Sequence, residues 1–124
     1  MRKHDPVTTA LGKDLKAVAA SAAGRQGVLW TLEGSEDLNA NLVRFGSGRG
    51  VEEHVNDEVD VVFVGVSGSG FIEVGGEERT LGAGVLVFVP KGARRSTRAA
   101  SENFSYLTVH ERRGPVRIGP RKGF

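Results

Sequence analysis

The sequence predicts an all-β fold, a jelly-roll barrel preceded by a short helix, and three observations carry that reading. First, 17 valines outnumber nine leucines and two isoleucines, and β-branched side chains suit pleated surfaces better than long helices. Second, from Gly27 onward short apolar runs alternate with glycine-rich breaks, the pattern of many strands joined by tight turns. Third, so many strands in one chain of 124 residues must close into a barrel or pack as two sheets, because open edges invite aggregation. The length favours a single core over two.

Taken in order, residues 1–26 form an N-terminal helical segment. Leu11, Leu15, Val18, Ala19 and Ala22 recur at the three-to-four spacing of one helix face, and Gly24 is a natural stop. The spacing predicts a helix docked on the outside of the barrel. The barrel itself spans 27–111, with strands expected near 28–33, 38–45, 51–55, 60–66, 71–75, 77–81, 85–89, 94–98 and 103–110. The clearest hairpin joins Phe71-Ile72-Glu73-Val74 to Glu77 and the residues after it through Gly75-Gly76, since adjacent glycines supply the positive φ of a two-residue turn. Residues 112–124 read as a basic tail in which Pro115 and Pro120 cannot donate ladder hydrogen bonds. Two readings stay open for it: a solvated extension, or an edge strand through Val116 and Ile118 pairing with a second subunit.

Charge and composition narrow the function classes. The net charge of +2 conceals a division: residues 1–90 carry eight basic and 13 acidic groups, residues 91–124 nine and two. The basic tail after residue 111 has a single aromatic, Phe124, and no interleaved stacking residues, which argues against nucleic acid. Cysteine is absent, so thiolate nucleophiles and cysteine-ligated metals are excluded and a reducing, cytoplasmic setting fits. Apolar runs such as Val61 to Val66, six residues, and Leu81 to Val89, nine, fall far short of the about 20 that span a bilayer. Lys13, Asp14 and Lys16 interrupt the stretch from Arg2 to Ala23 where a signal peptide would need its apolar region.

Two segments carry a recognisable pattern. In the first, Gly48 is followed after five residues by His54, then by Asn56, and the segment closes at Gly68. In the second, Gly84 is followed after five residues by Pro90, then Gly92, Arg95 and Ala99. Segments 48–70 and 84–99 resemble the paired signature of the cupin superfamily, small jelly-roll barrels also called double-stranded β-helices. The glycines and the proline match, and they are the turn-forming parts. The ligand positions depart. In metal-binding members, two histidines and a glutamate of the first motif and a histidine of the second hold one transition-metal ion. Here only His54 matches, Asn56 stands at the second histidine, and Arg95 takes the histidine slot of the second motif. Counting forward from Asn56 puts Asp60 at the glutamate position, while counting back from Gly68 puts Val61 there. Side chains alternate across a strand, so this one-residue difference decides whether Asp60 faces the interior.

Arg95 stays protonated and has no lone pair to give a cation, so the resemblance implies a barrel without the usual metal. Arg95 as an anion clamp, His54 as a proton-exchanging group, Asn56 as a two-way hydrogen bonder and an inward Asp60 together suggest a site for a small anionic metabolite. Strand alternation then turns Arg94 and Arg98 outward. Other readings remain open at this point. A remodelled site of His54, Asp60 and His110 holding a divalent transition metal would suit an oxygenase- or isomerase-type enzyme. A metal-independent epimerase would pair His54 as base with Tyr106 as acid, in line with the resemblance. A binding module that assembles as a homodimer through sheet edges would place Trp30 beneath the interface. The sequence does not decide whether the protein is an enzyme.

Overall fold

The computed structural model describes residues 9–22 and 24–112; the tail after 112, with its expected edge strand, lies outside the described residues. Among the described residues one helix, α1 (Leu15–Ala20), precedes nine strands: β1 (Gly27–Thr31), β2 (Leu38–Phe45), β3 (His54–Val55), β4 (Val61–Ser67), β5 (Gly70–Val74), β6 (Glu77–Thr80), β7 (Leu86–Val89), β8 (Arg94–Ala99) and β9 (Phe104–Glu111). They form a five-stranded sheet ordered β1-β2-β9-β4-β7 and a four-stranded sheet ordered β3-β8-β5-β6. Neighbouring strands run antiparallel throughout. The architecture is an all-β barrel, as the valine-rich, glycine-punctuated sequence predicts.

Turn chemistry sets the register. Gly75 and Gly76 both adopt positive φ, 60° and 87°, and Val74 lies opposite Glu77 across the resulting two-residue hairpin. The four glycines matched by the motifs, Gly48, Gly68, Gly84 and Gly92, also hold φ between 68° and 88°, so the matching positions are those where a side chain would be strained.

The interior is shared by both sheets. On the five-stranded side Val43, Tyr106 and Gly65 fall in one row, and Phe63 lies opposite Thr108 in the next. Val61, Phe63, Val89, Phe104 and Tyr106 are fully buried, and from the other sheet Ile72 and Ala99 join the same cluster. Phe63 and Phe104 pack against the Tyr106 ring at 5.6 and 5.3 Å between centroids, separations at which tilted aromatic pairs attract.

Opposite register parity puts Leu42, Ala40 and Arg44 on the other face of β2, yet all three are buried. Helix α1, which packs on β4, β1 and β2, and the segment after it supply the cover; Arg44 Nη1 donates to the Arg25 carbonyl at 3.0 Å. The helix is shorter than its periodicity suggests. Asp14 sits in an extended conformation and its carboxylate accepts the Ala17 N–H at 3.1 Å, so the chain enters the helix only there, and Leu11 is left exposed.

The expected strand over 51–55 is the other departure. Only His54–Val55 pairs regularly with β8, while residues 48–51 follow the same strand irregularly. Gly48 N donates to Ala99 O, Ala99 N to Arg49 O, and Thr97 N to Val51 O. The backbone hydrogen bonds are kept without the pleat, and this edge of the barrel is left ragged.

Candidate functional site at the barrel mouth

Strand β8 alternates strictly. Arg95, Thr97 and Ala99 are buried, and Arg94 and Arg98 are exposed. Outside, Arg94 makes a long, solvent-exposed ion pair with Glu53 at 3.9 Å, and Arg98 lies over the Phe71 ring. Inside, the Arg95 side chain retains only 1% of its accessible surface. Its Nε donates to the Ala93 carbonyl at 3.0 Å and its Nη2 to the Pro90 carbonyl at 3.4 Å. Nη1 is buried with no hydrogen-bond partner. Burial draws the guanidinium pKa down from its usual value, but the group starts so high that it stays cationic.

His54 lies directly opposite Arg95 in the ladder, so the two side chains leave the sheet on the same side. Its Nδ1 is 2.9 Å from the Glu52 carbonyl oxygen, whereas Nε2 is buried without a partner. One rung of the barrel therefore holds a cation with an unused N–H and an imidazole with an unused nitrogen.

The turn after β3 explains where the remaining expected ligands go. Asn56 is buried, and its Oδ1 accepts the N–H groups of Glu58 and Val59 at 2.9 and 3.3 Å. That oxygen is committed to a local turn. The turn brings Val59 and Val61 into the core and leaves Asp60 exposed, where its Oδ1 accepts the Lys91 N–H at 2.9 Å. The parity question is thus resolved in favour of Val61, and Asp60 is removed from the set of interior ligands. It fastens the β3–β4 turn to the Pro90–Gly92 turn, which is itself tied back by Gly92 N donating to Asn56 O at 2.8 Å.

His110, on β9, stands in register with Asn39 and Val61, and its Nδ1 contacts the Glu111 carbonyl at 3.0 Å. Among the described residues no three His, Cys, Asp or Glu side chains gather into a group able to hold a metal ion, so His54, Asp60 and His110 are not brought together. The donor chemistry of this rung and its neighbouring turn does not fit the transition metal that metal-binding members hold there. A guanidinium without a lone pair stands at one ligand position, a valine at another, and an amide oxygen already engaged at a third.

Tyr106 is likewise placed away from catalytic use. Its hydroxyl shares a 2.9 Å hydrogen bond with Thr97 in the core, among the rings of Phe45, Phe63 and Phe104. Burial pushes the phenol far above the usual tyrosine range, against a smaller downward pull from Thr97. A phenol so reluctant to ionise, with its oxygen already bonded, is a structural group.

Two features of the site were missed from the sequence. The carbonyls of Pro90 and Ala93 cradle Arg95, and the signal was the Pro-x-Gly turn just ahead of it. A cleft of about 450 Å³ also opens beside the ragged edge, lined by residues that include Phe45, Arg49, Val51 and Arg98; the glycine-rich run from Gly46 to Gly50 marked it.

Comparison with known proteins agrees with this architecture. Residues 41–110 match the family model described as a cupin domain. No curated protein matches the sequence. Among solved structures, TT1209 from Thermus thermophilus is 27% identical with a TM-score of 0.67, covering 82% of this chain and 97% of that one. BH2720 from Bacillus halodurans superposes with a TM-score of 0.69 at 13% identity, covering 93% and 89%. KdgF from Halomonas sp. gives 0.64 at 22% identity, covering 69% and 78%. With the family model covering more than half of its length and a barrel carrying the motif's turns in place, the chain belongs to the cupin family.

Proposed function

We propose that this cupin binds a small anion, a carboxylate or a phosphate, at the mouth of its barrel through Arg95 and without a metal ion. The observation that carries the reading is the buried Arg95 side chain with Nη1 unpartnered. No carboxylate among the described residues pairs with it. A buried charge left unpaired is costly, and an anion presented to Nη1 supplies both the missing charge and the missing acceptor. The competing enzymatic readings lose their parts: Tyr106 is tied to Thr97, and Asp60 is turned outward onto Lys91.

The test is thermal melting of the wild type and of Arg95→Met in a zwitterionic buffer, with acetate, phosphate or sulfate added in steps. The wild type is expected to gain a saturable rise in melting temperature, as ligand linkage requires. Arg95→Met is expected to show none and to be at least as stable before any anion is added, since an apolar side chain replaces an unpaired buried charge. Equal responses in the two proteins would remove Arg95 from the site.

Self-association is part of the same proposal. Strand β7 is a sheet edge that exposes Leu86 and Phe88, with Val85 beside them, and edge strands of this kind favour pairing with a second copy. Sedimentation of Phe88→Lys against the wild type checks it, with loss of a dimer expected. Among the described residues no helix is long and apolar enough to cross a membrane. The cysteine-free chain supports a reducing, cytoplasmic setting.

A further inference from the structure

The imidazole opposite Arg95 has its proton placed by geometry. A backbone carbonyl only accepts, so at 2.9 Å from the Glu52 oxygen the neutral ring of His54 carries its proton on Nδ1 and presents a lone pair at Nε2. That atom is buried and unpartnered. Directly opposed residues on one face stand about 5 Å apart between Cβ atoms, so an anion seated on Arg95 meets this lone pair. Two electron-rich groups repel each other there. A proton on Nε2 turns the repulsion into a charge-assisted hydrogen bond.

We propose that His54 is the proton-accepting half of the anion site, so that a carboxylate or phosphate enters together with one proton and is held between an imidazolium and a guanidinium. This rests on the Arg95 reading above and deepens it: the anion is bound more tightly as pH falls and the His54 ring takes up its second proton. The other charged groups around the ring do not replace that proton. Arg95 is the cation on the facing strand β8. Glu52, Glu53, Asp57, Glu58 and Asp60 are all exposed, with Glu53 on Arg94 and Asp60 on the Lys91 N–H. His110 turns its Nδ1 to the Glu111 carbonyl.

The sequence has only three histidines, His4, His54 and His110, so the Cε1–H resonance of His54 is assignable from its loss in His54→Gln. Its midpoint is followed by proton NMR from about pH 5.5 to 8.5 with and without sodium acetate or sodium sulfate, in the wild type and in Arg95→Met. Each anion is expected to raise the wild-type midpoint by about one unit, equivalent to tenfold tighter binding to the imidazolium form, and to leave the midpoint in Arg95→Met unmoved. In His54→Gln, whose amide can donate without titrating, the anion-dependent rise in melting temperature is expected to become independent of pH. A wild-type midpoint that ignores both anions, while melting still responds to them through Arg95, overturns the proton-coupled site and leaves the anion site standing. Melting that shows no Arg95-dependent response removes both.

Discussion

Two rungs of one strand, two residues apart, behave in opposite ways. At Thr97 every polar demand is met: its hydroxyl accepts the Val51 N–H at 3.1 Å and shares a hydrogen bond with Tyr106, whose ring is enclosed by phenylalanines. At Arg95 the demand is met only in part, and the residue opposite it is left open as well. Interiors seldom leave buried donors and acceptors idle, so the contrast sets a satisfied structural rung beside the rung proposed to bind. A single orphaned atom would not suffice. Arg44 Nε and Thr108 Oγ1 are also buried without partners; what distinguishes the mouth is two such atoms on one rung, one of them on a buried cation.

The comparison breaks hardest at the rings around Tyr106. Phe63→Ala removes a fully buried ring that packs on Tyr106, and such truncations cost about 3–5 kcal/mol. For a domain this small that is a large part of the total stability. Urea unfolding is expected to show the midpoint falling sharply, and the replacement of the buried cation, Arg95→Met, is expected to show no such fall.

How much of this contrast was legible in the sequence depends on how local the physics is. The Gly75-Gly76 hairpin, the motif turns and the alternation of Arg94, Arg95 and Arg98 were readable because each is fixed by one residue's φ or by a period of two. Asp60 was not readable. Its orientation depends on the Asn56 side chain capturing Glu58 and Val59 N–H groups, which shifts the strand phase by one residue, and two motif counts could not agree on it. The irregular path of 48–51 was likewise hidden, because those residues keep their hydrogen bonds to β8 without strand geometry. Nothing in the pattern announced that Tyr106 would be spent on Thr97, since side chain pairs across two sheets are set by tertiary packing rather than by spacing.

Alkaline pH sharpens the comparison next, through Tyr106. Its folded pKa lies above the ordinary value of 10.0, so the fold favours the protonated phenol. That contribution is fully present below the unfolded pKa and is lost as pH rises from there toward the folded value, because only the unfolded chain then releases its proton. The expected loss is about 1.4 kcal/mol per pH unit above 10. Lysines titrate in the same range, so the measurement is the difference between wild type and Tyr106→Phe in urea midpoints at pH 9 and pH 11. The wild type is expected to lose more, and equal losses would mean that the phenol ionises inside the fold. An effect of similar size belongs to Thr97→Val, which takes away the hydroxyl between Tyr106 and the Val51 N–H. It is expected to cost about 1–3 kcal/mol where buried partners are left unsatisfied and to leave the anion response of Arg95 unchanged; an altered response would join the two rungs into one site.

The smallest effect is expected from the residue whose placement the sequence left open. Asp60→Ala removes one exposed acceptor from the Lys91 N–H, and water replaces it, so the stability change is expected to stay within about 1 kcal/mol. What makes the variant useful is the second measurement. If Asp60 were an interior ligand, its loss would change how the mouth receives anions or divalent cations. Because it ties two turns together from the outside, the melting response to acetate and sulfate is expected to match that of the wild type. A response lost in Asp60→Ala, with the fold intact, would show that the Pro90–Gly92 turn itself sets the geometry of Arg95, since the carbonyl of Pro90 receives Nη2 and Lys91 is the next residue along the chain.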